Sequence, residues 1–307
     1  MAMRIAIVGL GKIARDQHLP VITASPDFEL VAIASRSAGL PELPHYESIE
    51  ALLASDVAVD AVSLCQPPQV RYDAAKAAII AGKHVFLEKP PGATLSEVEA
   101  LADLARAHGV SLFASWHSRY ASGVETAKAW IAARTLRSVS VEWKEDVRVW
   151  HPGQTWIWEA GGLGVFDPGI NALSIVTHIL PRPFFLLDGT LNFPSNCQSA
   201  IAADLSFRDE AGVPIHAVFD FLQTGPQTWD IRVEAEDGEL LLSKGGSVLT
   251  IDGVVQDTAP EAEYRGLYDR FAALVADGAS DVDVAPLRHV ADAYLRGQRV
   301  MVEPFVE

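Results

Sequence analysis

The sequence predicts an α/β protein in which a doubly wound parallel sheet is followed by an α+β domain with a large, mostly antiparallel sheet. Three observations support this prediction. Strand-like and helix-like segments alternate over residues 1–118, a glycine-rich turn joins the first strand to the first helix, and short alternating runs with tight turns dominate from about residue 139. Strands that alternate with helices are typical of βαβ units, whereas strands joined by short turns form antiparallel sheets.

The elements of the first domain follow from hydrophobic periodicity and from turn residues. The predicted strands are 4–9, 28–35, 61–65, 84–88 and 110–115, and the predicted helices are 13–23, 49–54, 70–82 and 96–108. Ser96 and Glu99 have the spacing of a capping box at the start of the last helix, and Gly82 is typical of a residue just beyond a helix end. This order predicts a mostly parallel sheet covered by helices.

The rest of the chain favours antiparallel pairing. Strands are predicted at 139–143, 186–191, 198–207, 213–223, 228–234, 239–243 and 247–251, and covering helices at 124–133, 167–178, 264–276 and 286–296. Asp237-Gly238 and Asp252-Gly253 are typical two-residue hairpin signals. We therefore predict two domains, 1–118 and 119–307, with the functional site between them. One face of the antiparallel sheet lacks enough helix to cover it, which predicts a homo-oligomer.

Composition restricts the partners and the location. The formal net charge of −16 argues against a nucleic-acid partner, and the longest apolar runs are too short for a membrane span. Met1 leads directly into a strand pattern, which leaves no room for a signal peptide. Cys65 and Cys197 lack the spacing of a redox or metal pair, and the histidines do not cluster with metal-ligand spacing. We expect a cytoplasmic protein that acts on a small molecule without a metal ion.

The turn Gly9-Leu10-Gly11-Lys12-Ile13-Ala14 is a candidate dinucleotide-binding loop of the Rossmann type. It closes the first predicted strand and opens the first helix, which is the context such a site requires. Gly9 permits a tight turn, Gly11 lets the backbone approach a pyrophosphate, and Ala14 keeps helix and strand close. The same string is also compatible with a simple structural turn.

The end of the second strand favours NADP over NAD. An NAD site places a carboxylate there to bind the ribose 2′-hydroxyl, but this chain has Ser35, Arg36 and Ser37. Hydroxyls and a guanidinium group suit a 2′-phosphate. The alternative is that Arg36 is a solvated loop residue, and use of NAD stays open.

One segment of the second domain suits a sugar. Aromatic residues alternate with polar ones through Glu145, Trp150 and His151, and the segment leads to Asp167 and Asn171 on a predicted helix. Rings stack on the C–H faces of a sugar while polar side chains bind its hydroxyls. The competing interpretations are a tryptophan-rich core under a loop, a solvated Glu145, and an Asp167 that serves only the helix dipole.

Two residues at strand ends are further candidates. Lys89 follows a buried strand and precedes Pro90 and Pro91, whose rings fix the backbone around it. His117 ends the last parallel strand and is a candidate contact for substrate or nicotinamide, with a purely structural histidine as the alternative.

These motifs together resemble the glucose–fructose oxidoreductase/inositol dehydrogenase (Gfo/Idh/MocA) family over essentially the whole chain. The resemblance is carried by the GLGKIA loop, by Gln66-Pro67-Pro68, by Ala81-Gly82-Lys83-His84-Val85 with Glu88-Lys89-Pro90, and by the glycine-rich run from Gly161 to Gly169 around Asp167. It implies that Gln66, Pro67 and Glu88 contribute to the cofactor site. It also implies that Lys89 points to the place where nicotinamide and substrate meet.

Within the family the chain looks most like bacterial aldose 1-dehydrogenases acting on L-arabinose or D-galactose. The family's common pattern has histidine four residues after the aspartate, but this chain has Asn171, which cannot titrate. The resemblance implies that Glu145, His151, Asp167 and Asn171 surround the sugar, with Lys89 at its reactive carbon. We therefore expect oxidation of D-galactose, L-arabinose or D-fucose to the lactone, with Lys89 or Asp167 as the base. The alternatives are a cyclitol or other sugar-hydroxyl dehydrogenase and a non-catalytic NADP-binding sensor.

Overall fold

The computed structural model describes residues 2–37 and 39–307. Its contacts divide the chain into two compact units, the first formed by Met1–His117 with Tyr264–Val284 and the second by Ser118–Glu263 with Ala285–Glu307. Each unit therefore contains two segments of the chain. The sequence places a single boundary near residue 118 and does not indicate that residues 264–284 belong with the first unit.

The first unit contains a six-stranded parallel sheet. Its strands are β1 (Met3–Val8), β2 (Phe28–Ala34), β3 (His45–Tyr46), β4 (Ala61–Leu64), β5 (His84–Leu87) and β6 (Leu112–Ala114). They lie in the order β3-β2-β1-β4-β5-β6, and all five pairings are parallel. The order reverses beside β1, which is the switch point where doubly wound sheets bind ligands. The predicted fold class of this unit is confirmed.

Four helices lie between these strands in the sequence: α1 (Leu19–Ala24), α2 (Ile49–Leu53), α3 (Arg71–Ile80) and α4 (Leu95–His108). A π-helical turn, Ala14–His18, precedes α1, and a 3-10 turn, Pro68–Val70, precedes α3. The capping box predicted at Ser96 is wrong by two residues. Thr94 accepts from the Glu97 amide and Glu97 accepts from the Thr94 amide, so α4 begins at Leu95, two residues earlier than a cap at Ser96 would allow.

The second unit contains a nine-stranded mixed sheet. Its first strands and helices, in chain order, are α5 (Val124–Ala132), β7 (Leu136–Lys144), α6 (Val147–Trp150), α7 (Phe166–Ile179), β8 (Phe184–Pro194), β9 (Ala202–Asp209), β10 (Pro214–Asp220), β11 (Thr228–Ala235), β12 (Gly238–Ser243), β13 (Val248–Ile251) and β14 (Val254–Val255). The chain then returns to the first unit as α8 (Glu263–Ala276), and α9 (Ala285–Arg296) and β15 (Gln298–Val302) complete the second unit. The order is β14-β13-β12-β11-β7-β10-β9-β8-β15, and only the β7/β10 and β8/β15 pairs are parallel.

Most of this sheet was predicted from period-two patterning. Side chains alternate between buried and exposed along β7, β9 and β10, with α7 against the buried face. The predicted hairpin at Asp252-Gly253 is confirmed, because both residues have positive φ (49° and 78°) between β13 and β14. The short strands β3 and β14 and the edge strand β15 lie outside the predicted set.

Helix α8 corrects one expectation. The sequence analysis assigns residues 264–276 to the cover of the antiparallel sheet, but the helix belongs to the first unit. Its buried Tyr268 stacks on Phe86 of β5 with ring centroids 5.0 Å apart, and Phe271 stacks on Phe28 of β2. Amphipathic patterning shows that a helix buries one face, but it does not show which sheet that face covers. Within the described residues no helix has the length and apolar character needed to cross a membrane.

Candidate active site

The glycine-rich turn after β1 has the geometry of a dinucleotide site. Gly9 has φ of 90°, and a Cβ there would lie 2.9 Å from Cγ of Gln66, so a side chain is excluded. A Cβ on Gly11 would meet no atom within 4 Å, which leaves open space beside the backbone. The buried Oε1 of Gln66 has no hydrogen-bond partner within the described part of the chain. The open space beside Gly11 would accommodate a bound pyrophosphate, and the unpaired Oε1 of Gln66 is an acceptor that suits a ribose hydroxyl of the same cofactor.

The other residues predicted to bind the cofactor lie around this turn. Lys12 is exposed and forms an ion pair with Asp16, and Ile13 is 36% exposed. Ser35 is buried after β2, where its hydroxyl accepts from the Ser37 amide at 3.4 Å. Arg36 is exposed beside them. Position 38 lies outside the described residues. The geometry brings hydroxyls and a guanidinium group together at the end of β2, and their contact with a 2′-phosphate stays a prediction.

Lys89 is held where β5 ends. The Glu88 amide donates to the carbonyl of Leu64 at 3.2 Å, which extends the pairing of β5 with β4 by one residue. The Lys89–Pro90 peptide bond is cis. Glu88, Pro90 and Pro91 are buried whereas Lys89 is partly exposed, so the lysine side chain leaves a rigid and otherwise buried segment. Lys89 is therefore a partly exposed residue at the end of an otherwise buried strand.

Beneath Lys89 lies a buried polar network. Oε1 of Glu88 accepts from the Tyr264 hydroxyl at 2.7 Å and from Nε2 of His18 at 3.3 Å. Nδ1 of His18 lies 2.8 Å from the Tyr268 hydroxyl, which in turn donates to Ser63 at 3.1 Å. Every member is buried, so the hydrogen bonds are not exchanged with water.

The pKa shifts of Glu88 and His18 both favour an ion pair between them. Burial acts to raise the pKa of Glu88, but the hydrogen bond with His18 and the charges of His18, His117 and Lys89 lower that pKa to about 2. Burial acts to lower the pKa of His18, while Cys65, Tyr268 and the hydrogen bond with Glu88 raise it well above 6.5. The carboxylate of Glu88 is thus engaged within the protein, and its predicted contact with the cofactor stays a prediction.

The second unit brings three predicted site residues together. Oε1 of Glu145 lies 3.1 Å from Nε2 of His151, and Nδ1 of the same histidine lies 3.7 Å from Oδ2 of Asp167. Glu145 and Asp167 are buried, and the His151 side chain is 16% exposed. An imidazole ring between two buried carboxylates presents acceptors and a donor at short range, which suits a polyhydroxylated ligand.

Local structure explains how distant residues meet in this cluster. Glu145 follows β7, and its amide donates to the carbonyl of Asp220 at 2.9 Å. His151 follows α6, where the Arg148 amide donates to the side chain of the N-cap residue Asp146. Asp167 lies in the first turn of α7, after a glycine-rich run in which a Cβ on Gly162 would lie 2.0 Å from the carbonyl of Trp156. Only glycine permits that approach, which explains the motif.

Aromatic rings lie beside the cluster. Trp150 is 41% exposed, and its ring centroid lies 4.9 Å from that of Trp229. Nε1 of Trp229 donates to Oε2 of Glu145 at 2.8 Å, so Trp229 orients the carboxylate while it extends the aromatic surface. The sequence analysis missed Trp229. Its only signal is an aromatic residue in a predicted strand, which does not distinguish a site residue from a core residue.

Asn171 and His117 are the remaining residues predicted to contact the substrate. Asn171 lies one turn after Asp167 on α7 with a partly exposed side chain, as the four-residue spacing predicts. His117 begins the 3-10 turn His117–Tyr120 in the chain, and its ring stacks on Tyr264 at 5.4 Å. The described residues contain no group of three His, Cys, Asp or Glu that could hold a metal ion.

Comparison with known proteins relates these geometries to characterised ones. Residues 3–115 match the GFO_IDH_MocA model, described as an oxidoreductase family with an NAD-binding Rossmann fold. Galactose 1-dehydrogenase of Pseudomonas fluorescens is 47% identical over 305 residues, which covers 99% of both chains. The crystal structure of D-galactose-1-dehydrogenase from Rhizobium etli is 60% identical with a TM-score of 0.96 and covers 99% of this chain and 98% of that one.

More distant relatives share less of the sequence. D-xylose 1-dehydrogenase (NADP⁺) 2 of Haloferax volcanii is 29% identical over 306 residues, 90% of each chain. A 3-ketoreductase from Actinomadura kijaniata, solved with NADP, is 20% identical with a TM-score of 0.86 and covers 98% of this chain and all of that one. At that identity the likeness shows the fold alone.

Proposed function

The chain belongs to the GFO/IDH/MocA oxidoreductase family, and on that premise we propose that it is an aldose 1-dehydrogenase that oxidises D-galactose to its lactone with NADP⁺. L-arabinose and D-fucose are proposed as alternative substrates, because they share the ring configuration of D-galactose. One observation carries the proposal: the chain is similar over its full length to two proteins described as galactose 1-dehydrogenases, at 47% and 60% identity.

The residues support this reaction chemically. Oxidation at C1 breaks the C1–H bond, with the hydride leaving, and removes a proton from the anomeric hydroxyl as the C1–O double bond forms. The nicotinamide ring, when bound, accepts the hydride. Lys89 is proposed to donate a hydrogen bond to O1 and to stabilise the negative charge that develops there. The proton passes to Asp167 if Lys89 acts as the charged ammonium group, or to Lys89 itself if that residue acts as the neutral amine.

The remaining cluster is proposed to hold the sugar. Glu145 accepts hydrogen bonds from the sugar hydroxyls, and His151 donates one to them. Asn171 adds a side-chain amide, which offers both a donor and an acceptor. The rings of Trp150 and Trp229 present an apolar surface to the C–H face of the sugar. Fixed hydrogen bonds and a stacked ring restrict the substrate to one orientation, which is the main contribution a protein makes to hydride transfer.

NADP⁺ is the proposed cofactor because the end of β2 offers Ser35, Arg36 and Ser37 and no carboxylate.

A homo-oligomer and a cytoplasmic location are also proposed. Exposed apolar side chains at both edges of the nine-stranded sheet support the homo-oligomer: Val254 and Val255 are 63% and 66% exposed, and Met301 is 64% exposed. Light scattering on the purified chain tests this part, and a monomer at micromolar concentration would contradict it.

The proposed function is tested by NADPH formation from NADP⁺ with D-galactose, L-arabinose and myo-inositol assayed in parallel. Turnover of an aldose with release of the lactone, identified by nuclear magnetic resonance, is the expected result. Turnover of myo-inositol alone would replace the proposal with a cyclitol dehydrogenase. Binding of NADP⁺ without turnover of any sugar would favour a sensor.

A further inference from the structure

Arg71 is a buried cation that donates hydrogen bonds to three backbone carbonyls. It is the first residue of α3 and is 2% exposed. Its Nη1 donates to the carbonyl oxygens of Glu88 and Pro90, and its Nη2 donates to the carbonyl oxygen of Gln66. One guanidinium group thus joins the turn after β4 to the segment that follows β5.

The two carbonyls bound by Nη1 flank Lys89, which is the residue between Glu88 and Pro90. The third carbonyl belongs to Gln66, whose buried Oε1 lacks a partner in the described part of the chain and which we assign to the cofactor turn. The same side chain therefore fixes the backbone on both sides of the lysine and sets its distance from that turn. A planar guanidinium fork can do this because its donors are rigidly arranged.

We propose that Arg71 is a positioning residue that holds Lys89 in register with the cofactor turn. The inference rests on the proposed function, in which Lys89 contacts O1 of the sugar. Arg71 itself stays protonated and buried, so it neither touches substrate nor transfers a proton. Its effect on the reaction passes entirely through the position of the lysine.

Loss of the guanidinium group lowers the rate through geometry. A displacement of about 1 Å in a reacting group costs about 100-fold in rate, and Arg71→Ala removes all three of these hydrogen bonds at once. We expect kcat to fall about 100-fold and kcat/KM for the sugar to fall equally, because the lost interaction acts in the transition state. Arg71→Lys supplies a point charge without the fork and restores only part of the rate.

The experiment is a double-mutant cycle of Arg71→Ala and Lys89→Met, with kcat expressed per molecule of NADP⁺ bound. Lys76→Ala is the matched control, because Lys76 is an exposed cation on the same helix. If Arg71 acts through Lys89, the double variant is no slower than Lys89→Met, whereas a general structural role makes the two losses multiply. Guanidinium chloride at millimolar concentration raises the rate of Arg71→Ala above a sodium chloride control but leaves that of Lys89→Met unchanged.

The outcomes separate this inference from the proposed function. A Lys89→Met variant at the wild-type rate would overturn the proposed role of the lysine and the inference with it. Loss of activity in Lys89→Met together with multiplying losses in the double variant would overturn the inference alone. Should Arg71→Ala fail to bind NADP⁺, Arg71→Lys takes its place in the same cycle, and a wild-type rate in that variant contradicts the need for the fork.

Discussion

Glu88→Gln removes the negative member of the buried ion pair beneath Lys89 while keeping the shape of the side chain. The ordinary carboxyl pKa of 4.5 is lowered to about 2 in the folded protein, a difference worth about 3 kcal/mol of folding free energy. Breaking a buried pair by neutralising one member costs a similar amount, about 3–5 kcal/mol. We expect Glu88→Gln to be destabilised by about 3 kcal/mol at pH 6.

The pH dependence follows from the directions of the two pKa shifts. Because the pKa of Glu88 is lowered on folding, its contribution is present above about pH 4.5 and is lost as the pH falls toward about 2. Because the pKa of His18 is raised on folding, its contribution is present below about 6.5 and is lost as the pH rises through the folded value. The difference between wild type and Glu88→Gln is therefore largest near pH 5–6 and shrinks as the pH falls below about 4.5.

Urea unfolding followed by circular dichroism at pH 6 and pH 3 measures this difference. Asp103→Asn is the control, because Asp103 pairs with Arg106 on an exposed helix face, where ion pairs contribute less than about 1 kcal/mol. Equal unfolding free energies for wild type and Glu88→Gln at pH 6 would refute the buried ion pair, as would a difference that is unchanged at pH 3.

Three further predictions concern the site. Gly11→Val should fold normally, since a Cβ there meets no atom within 4 Å, yet lose NADP⁺ binding measured by calorimetry; undiminished binding would show that the pyrophosphate lies elsewhere. Trp229→Phe keeps an aromatic ring but loses the hydrogen bond to Glu145, so kcat/KM for the sugar should fall roughly 10–100-fold, and a change of less than twofold would contradict a role for that bond. Arg36→Ala should raise the Kd for NADP⁺ about tenfold and leave that for NAD⁺ within about twofold; equal effects on both would remove the assignment of the 2′-phosphate contact.

The sequence predicted the fold well wherever a local sequence pattern is compatible with only one kind of structure. Strands of a parallel sheet are short apolar runs because helices cover both faces of the sheet. The glycine-rich turn is expected only between a strand and a helix. The sequence therefore predicted the sheet around β1 correctly. The sequence did not predict that α8 belongs to the first unit, because the apolar face of this helix could cover either sheet. The N-cap of α4 lies two residues before the predicted one for a similar reason, because Thr94 and Ser96 both begin a sequence with capping-box spacing.

The site was predicted unevenly for the same kind of reason. Glu145, His151 and Asp167 were predicted because polar residues stand out in an aromatic segment; the structure brings the three side chains together, and their roles stay a prediction. Arg71 and Trp229 were missed, because a helix-start arginine and a strand tryptophan have ordinary structural explanations. Only the side-chain geometry shows that one binds carbonyls around Lys89 and the other binds Glu145.

The most direct test of the central claim compares wild type with Lys89→Met in the formation of NADPH from NADP⁺ and D-galactose. Lys89 is partly exposed at a rigid strand end, so its replacement should leave folding and NADP⁺ binding intact. We predict rapid turnover by the wild type and a loss of about 1,000-fold in the variant, within the range for removal of a positioned proton-transfer group. A Lys89→Met variant that oxidises D-galactose at the wild-type rate would contradict the account.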